Sequence, residues 1–162
     1  MQIIDNFLGK KQFEVIQQVI MGVHFEWYYN KHSNYTGDNT SQLTHHFYNY
    51  ESYGQSNSAS LPLLKPILEK LKVTGIVKIN ANLHYPDTSE QITHTDFKFK
   101  NLITSVYYIN TNNGGTKIKD KLVNSIENRM VIFPCDTPHS VVRHTDPSIG
   151  RFVINFNYYS DR

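Results

Sequence analysis

In the stretch Gln91-Ile92-Thr93-His94-Thr95-Asp96-Phe97, an imidazole and a carboxylate stand two residues apart. On an extended strand, positions i and i+2 face the same way, so His94 and Asp96 can share one metal ion. A second imidazole would complete the two-histidine, one-carboxylate donor set that suits non-haem Fe(II). His139 is the candidate: in Phe133-Pro134-Cys135-Asp136-Thr137-Pro138-His139 it follows an apolar run and a proline. His144 competes, but it falls on the opposite strand face and beside Thr145-Asp146-Pro147, which reads as an exposed turn. His-x-Asp is weak by itself. With 8 His and 8 Asp in 162 residues, chance supplies about 0.4 such pairs.

The last apolar run strengthens the case. Arg151 opens Arg151-Phe152-Val153-Ile154-Asn155-Phe156, and Arg151, Val153 and Asn155 share one strand face. An arginine and an amide inside a barrel lined with Val, Ile and Phe are costly unless they meet a ligand or a partner. Arginine is the natural fork for a buried carboxylate. Tyr107 and Tyr108 are adjacent, so one faces the interior and the other faces out. The remaining histidines, His24, His32, His45, His46 and His84, show no partner pattern and read as structural or surface residues. Cys135 has no Cys/His/Asn arrangement around it and reads as a small buried or rim residue.

The elements that must position these side chains follow from periodicity. Gln2 to Leu8 reads as an edge strand, Lys10 to Met21 as an amphipathic helix ended by Gly22, and Val23 to Tyr29 as a strand. Leu43 to Tyr50 reads as a strand between polar loops at 30–42 and 51–60. Ser60 to Lys72 reads as a second helix, capped by Ser60, with Pro62 and Pro66 in or near its first turns. From Ile76 onward nearly everything is strand-like: 76–83, 91–94, 102–110, 116–118, 122–126, 130–133, 140–144 and 152–159. Turn signals such as Pro86-Asp87, Asn112-Asn113-Gly114-Gly115 and Asp146-Pro147 separate the runs. Two helices followed by many short strands predict a mainly β fold with flanking helices, a double-stranded β-helix or cupin-like jelly roll. One domain over 1–162 is expected, with helical support mostly in 10–72 and the jelly-roll core mostly in 76–159. No internal repeat or linker is apparent.

Composition narrows the function classes. Charged residues are 19% and aromatic residues 13% of the chain, which suits a globular, strand-rich protein. A net charge of +2 is too small to argue for nucleic acid. A single cysteine excludes an intrachain disulfide. No run resembles a signal sequence or reaches the ~20 apolar residues of a membrane span. A cytoplasmic location is expected. Asn34-Tyr35-Thr36 matches a glycosylation sequon and reads as a polar loop.

In sequence order, His94-x-Asp96, Thr104-Ser105-Val106-Tyr107-Tyr108-Ile109-Asn110, Gly114-Gly115-Thr116, Phe133…His139 and Arg151-x-x-x-Asn155 make a set. The set resembles the Fe(II)/2-oxoglutarate-dependent dioxygenases of the prolyl 4-hydroxylase type, most of all their compact bacterial and phage members. Ile4-Asp5-Asn6-Phe7-Leu8 followed by a helix is similar as well. The resemblance is strongest from Ile79 to Tyr158. It implies that His94, Asp96 and His139 bind Fe(II), and that Arg151, helped by Tyr108, holds the distal carboxylate of 2-oxoglutarate. It implies that Tyr85 lines the cosubstrate pocket, that Asn155 stands beside the basic residue, and that Asn82 contributes from the same strand as Tyr85.

Two departures from the family pattern are Thr116-Lys117-Ile118 directly after the glycine pair and the short loop 87–91. They bear on the substrate. Retention of Asp96 argues against halogenating relatives, whose site lacks the carboxylate. The implied reaction consumes O2 and 2-oxoglutarate, releases succinate and CO2, and hydroxylates a C–H. A residue in a peptide or protein is the first expectation for the substrate, and a free amino acid or other small metabolite the second. Trp27, Phe97 and Phe99, with loops 30–42, 51–60, 86–90 and 98–100, are rim candidates. Two other classes stay open: a cupin with a different metal chemistry, against which Arg151 speaks, and a non-catalytic binding jelly roll.

Overall fold

The computed structural model describes residues 1–32, 41–52, 58–88 and 92–161. The sequon at 34–36, the rim-loop residues 33–40, 53–57 and 89–90, and Gln91 lie outside them.

Alternating side chains dictate a large antiparallel sheet. Its strands are β1 (Gln2–Ile4), β2 (Tyr28–Asn30), β3 (Gln42–Asn49), β4 (Val73–His84), β5 (Ile103–Tyr108), β8 (Arg129–Pro134) and β10 (Arg151–Ser160). They lie in the order β1-β8-β5-β10-β4-β3-β2. A smaller sheet of β6 (Gly115–Ile118), β7 (Lys121–Asn124) and β9 (His139–Val142) has the order β7-β6-β9. An isolated antiparallel bridge between His94 and His139 extends the small sheet by one residue pair. This is a jelly roll, with helices packed on the outside of the large sheet.

The two faces of the large sheet carry different residues, as period-2 strands require. Ile79, Ala81, Tyr107, Ile154 and Phe156 form the outer face. Helix α1 (Lys10–Ile20) lays Phe13, Ile16 and Ile20 on it, and helix α2 (Lys65–Lys70) adds Ile67. Spacings of three and four keep those three side chains of α1 on one stripe. Each buried apolar side chain contributes about 1.5–3 kcal/mol. The inner face meets the small sheet through Val106, Tyr108, Val131, Phe133 and Val153 against Ile118 and Val123. Tyr107 and Tyr108 therefore face opposite sides, and both are fully buried.

Several predicted elements are shorter or divided. The first strand stops at Ile4, after which Asn6 takes a positive φ of 50° and the chain turns Phe7 and Leu8 into the core. Of Val23 to Tyr29, only the last two residues reach a strand: pairing with β3 begins at Tyr28, and Val23 is 93% exposed. The second helix is a 3-10 segment, Leu61–Leu64, followed by α2, and the Ser60 side chain makes no capping bond. Pro66 supplies no N–H for the bond that would carry a helix across the junction. Of the expected strand 91–94, the described residues 92–94 hold only the His94 bridge, and the strand after His139 ends at Val142. Among the described residues, no helix is long and apolar enough to cross a membrane.

Candidate functional site

The inner faces of the two sheets enclose a cavity of about 370 Å³. Four residues of β10 (Arg151, Val153, Asn155, Asn157) and four of β4 (Lys78, Asn80, Asn82, His84) line it at every second position. Both sets are the period-2 faces opposite the helices.

His94, Asp96 and His139 meet at one end. One ligating atom from each lies within 4.8 Å of the others. Asp96 Oδ1 is 3.7 Å from His94 Nε2 and 3.4 Å from His139 Nε2. Paired backbone bonds of 2.9 Å between His94 and His139 set the two rings side by side. His139 Nδ1 donates to Thr137 O at 2.9 Å, which leaves Nε2 free to present a lone pair. The other carboxylate oxygen, Asp96 Oδ2, accepts from Thr104 Oγ1 and Asn157 Nδ2, each at 2.8 Å. These two donors orient the carboxylate, as partners of metal ligands do. Two imidazoles and one fixed carboxylate fit a divalent metal of the Fe(II) kind.

Charge is arranged accordingly. Burial pushes the Asp96 carboxyl upward, but His139, Asn157 and Thr104 outweigh it and hold it at about 2. Burial and the neighbouring His139 keep His94 below its ordinary value. Burial lowers His139 as well, but the bond to Asp96 and its charge turn the balance upward.

At another part of the cavity Arg151 is fully buried. Its Nε donates to Ser125 Oγ at 3.1 Å, and one Nη donates to Gly115 O at 3.0 Å and Thr116 Oγ1 at 3.2 Å. The other, Nη1, is buried with no hydrogen-bond partner. Burial lowers the guanidinium to about 10, still cationic at neutral pH. An orphaned donor on a buried cation fits a carboxylate of a ligand. Gly115 permits the arrangement: a Cβ there would stand 2.5 Å from Val123 O.

Of the residues expected at the site, His94, Asp96, His139, Arg151, Asn82 and Asn155 all line the cavity. Tyr108 stands behind the lining. Its hydroxyl donates to Thr116 Oγ1 at 2.8 Å, and the Arg151 guanidinium lies 5.7 Å from its ring centre. Tyr85 is a correction: it is 48% exposed and does not line the cavity, and its neighbour His84 does. β4 ends at His84, which pairs with Arg151, so the strand face that looks inward carries His84. His144 is a second correction. It is fully buried, and its Nε2 bonds Ile149 O at 2.6 Å. Trp27 packs edge-on against Phe25 and Phe152 in the core and does not line the cavity. Phe97 does line it, and stacks on Phe99. Sequence reasoning gave no role to Ser125, Thr116, Thr104 or Asn157. Small polar residues inside strands are the only signal they leave.

No protein-family model matches the chain, and no curated protein matches it. Solved structures do. A prolyl hydroxylase from Trichoplax adhaerens, in complex with a hypoxia-inducible factor peptide fragment, matches at TM-score 0.67 and 18% identity, over 99% of this chain and 83% of that one. A Pseudomonas putida prolyl-4-hydroxylase matches at TM-score 0.60 and 13% identity, over 99% and 92%. The α-ketoglutarate-dependent epimerase SnoN of nogalamycin biosynthesis matches at TM-score 0.62 and 11% identity, over 98% and 76%. The chain thus has the jelly-roll fold of the non-haem 2-oxoglutarate-dependent oxygenases. Within that class its structural neighbours include prolyl hydroxylases.

Proposed function

We propose that residues 1–162 act as one Fe(II)- and 2-oxoglutarate-dependent dioxygenase domain that hydroxylates a substrate C–H. The observation that carries this is one cavity holding both a His-Asp-His cluster and a buried arginine with an unpartnered Nη1. His94, Asp96 and His139 would hold Fe(II), and Arg151 the distal carboxylate of 2-oxoglutarate. Fe(II), O2 and 2-oxoglutarate supply the oxidising chemistry, releasing succinate and CO2 as the C–H becomes C–OH.

The chain's own part is placement. Thr104 and Asn157 hold the Asp96 carboxylate in one orientation. Ser125 and Thr116 hold Nε and one Nη of the guanidinium, the Tyr108 ring lies beside it, and the unpartnered Nη1 would be the group that meets the ligand. Asn82 and Asn155 line the cavity beside these groups. Val106, Val141 and Val153 make parts of the wall apolar. The resemblance suggests a peptide residue as substrate, and the stacked Phe97 and Phe99 would suit one. The polar wall of β4 favours a smaller, charged substrate.

Anaerobic Fe(II) titration with and without 2-oxoglutarate, followed in the visible spectrum, tests the reading. A charge-transfer band that needs both components and disappears in His94→Ala is the expected result. Metal binding without a band would favour a cupin of different metal chemistry. Absence of metal binding would overturn the site.

A further inference from the structure

Among the described residues, Lys78 is the lysine or arginine on the cavity wall that the proposed chemistry does not use. It is half-buried, lines the cavity, and makes no hydrogen bond or ion pair with a described residue. Its place is set by register. Lys78 lies opposite Asn157 on β10, and the Asn157 amide donates to the metal-end carboxylate, Asp96 Oδ2, at 2.8 Å. Lys78 therefore stands on the side of the cavity next to the metal cluster. Arg151 is at the other end of the same strand pair, opposite His84.

Two further groups on this wall are poised for a ligand. Asn155 is opposite Asn80, one step along the same face from the Asn157–Lys78 pair. Its Oδ1 is buried and has no hydrogen-bond partner. The Asn80 Oδ1 is taken by His46 Nδ1 at 2.7 Å, which leaves the Asn80 Nδ2 hydrogens as donors. A buried carbonyl without a donor and a half-buried ammonium without an anion both cost free energy that a ligand can return.

In the reading proposed above, the cosubstrate carboxylate matches Arg151 and the metal matches Asp96. Lys78 is then the unmatched charge. Diagonal neighbours on one face of an antiparallel pair are about 7–8 Å apart. A small molecule carrying a carboxylate and an N–H donor on neighbouring atoms can bridge Lys78 and Asn155.

Resting on that reading, we infer that the substrate is a free α-amino acid, its carboxylate on Lys78 and Asn80 and its amino group on the Asn155 carbonyl. A residue inside a polypeptide has no free α-carboxylate for Lys78 and at most one amide N–H in place of an ammonium. The inference therefore departs from the peptide substrate that the resemblance suggests.

The test is succinate release by the Fe(II)-loaded full chain with 2-oxoglutarate. It is run against the common L-α-amino acids, their carboxamides, their N-acetyl forms and end-blocked peptides. One or more free amino acids should stimulate release, and the blocked forms should not. Lys78→Met should raise the half-saturating amino-acid concentration about tenfold, with Lys78→Arg recovering most of the loss, while the half-saturating 2-oxoglutarate concentration moves less than twofold. Stimulation by carboxamides or end-blocked peptides as strong as by the acids would overturn the inference. So would equal amino-acid requirements in Lys78→Met and the parent chain. The visible band with Fe(II) and 2-oxoglutarate, read with no amino acid present, reports the cofactor assignment separately. A band with no stimulation by any amino acid overturns the amino-acid assignment alone.

Discussion

Arg151 and His84 stand directly opposite one another on adjacent antiparallel strands, both buried, both lining the cavity and neither in an ion pair with a described residue. Each keeps one buried nitrogen without a partner, Nη1 of Arg151 and Nδ1 of His84. Burial drives His84 well below its ordinary value, and Arg151, Arg143 and His144 add to this, so the imidazole is neutral.

That neutrality sets a pH dependence for the protein without ligand. The unfolded chain protonates His84 near pH ~6.5, and the folded chain resists protonation to a much lower pH. Between those values the unfolded state binds more protons, so stability is full above about pH 6.5 and falls as the pH drops below it. Thermal melts from pH 8 to pH 5 should show this loss, and His84→Gln should lessen the slope. An unchanged slope in His84→Gln would assign the dependence to other groups.

Removing Arg151 should act on the cosubstrate first. Arg151→Ala is expected to raise the half-saturating 2-oxoglutarate concentration at least about tenfold, as loss of a buried charge-assisted pair does. An unchanged requirement refutes the anchoring role. Circular dichroism on the variant checks that the fold survives loss of the bonds to Ser125, Gly115 and Thr116.

Asp96→Ala should abolish both metal retention and turnover, measured by metal analysis and succinate release. The partner that orients Asp96 gives a graded counterpart. Thr104→Val keeps the shape of the side chain and deletes the 2.8 Å bond to Asp96 Oδ2. It should weaken Fe(II) binding about 10–100-fold. Parent-like affinity in Thr104→Val would leave Asn157 as sufficient support for the carboxylate.

Asn128 ties the N-terminal segment to the sheet. Its Oδ1 accepts from Leu8 N at 2.9 Å and from the Tyr107 hydroxyl at 2.7 Å, and its Nδ2 donates to Leu8 O at 2.9 Å. It also holds a positive φ of 57°. Asn128→Ala should cost about 2–4 kcal/mol in urea unfolding, because buried groups lose partners and alanine is strained there. Asn128→Gly should recover about 1 kcal/mol of that, since glycine relieves only the backbone.

Much of this was legible in the chain itself. Alternation marked the inner face of β10, where Arg151, Val153 and Asn155 do share the cavity wall. The short spacing of His94 and Asp96 marked them as a pair, although only His94 forms a bridge and Asp96 sits in the bend after it, and the apolar run before Pro138 picked out His139 over His144. The stripe Phe13, Ile16, Ile20 announced a helix lying on a sheet. These features are local: period, spacing and apolar run are properties of neighbouring residues.

What local pattern does not contain is pairing. Leu83, His84 and Tyr85 are consecutive, and a shift of one residue exchanges which of them looks inward. The pairing of β4 with β10 at His84–Arg151 decided for His84 and left Tyr85 exposed. The same holds for Thr104, Thr116, Ser125 and Asn157, which become partners of Asp96 and Arg151 only through contacts between residues 8 to 61 apart in sequence. Lys78 reads as an ordinary strand lysine until its register places it beside Asn157. The sequence by itself determined the donor types and the faces that carry them. The tertiary structure decided which faces meet, because the burial and hydrogen bonding that fix register are made between distant segments.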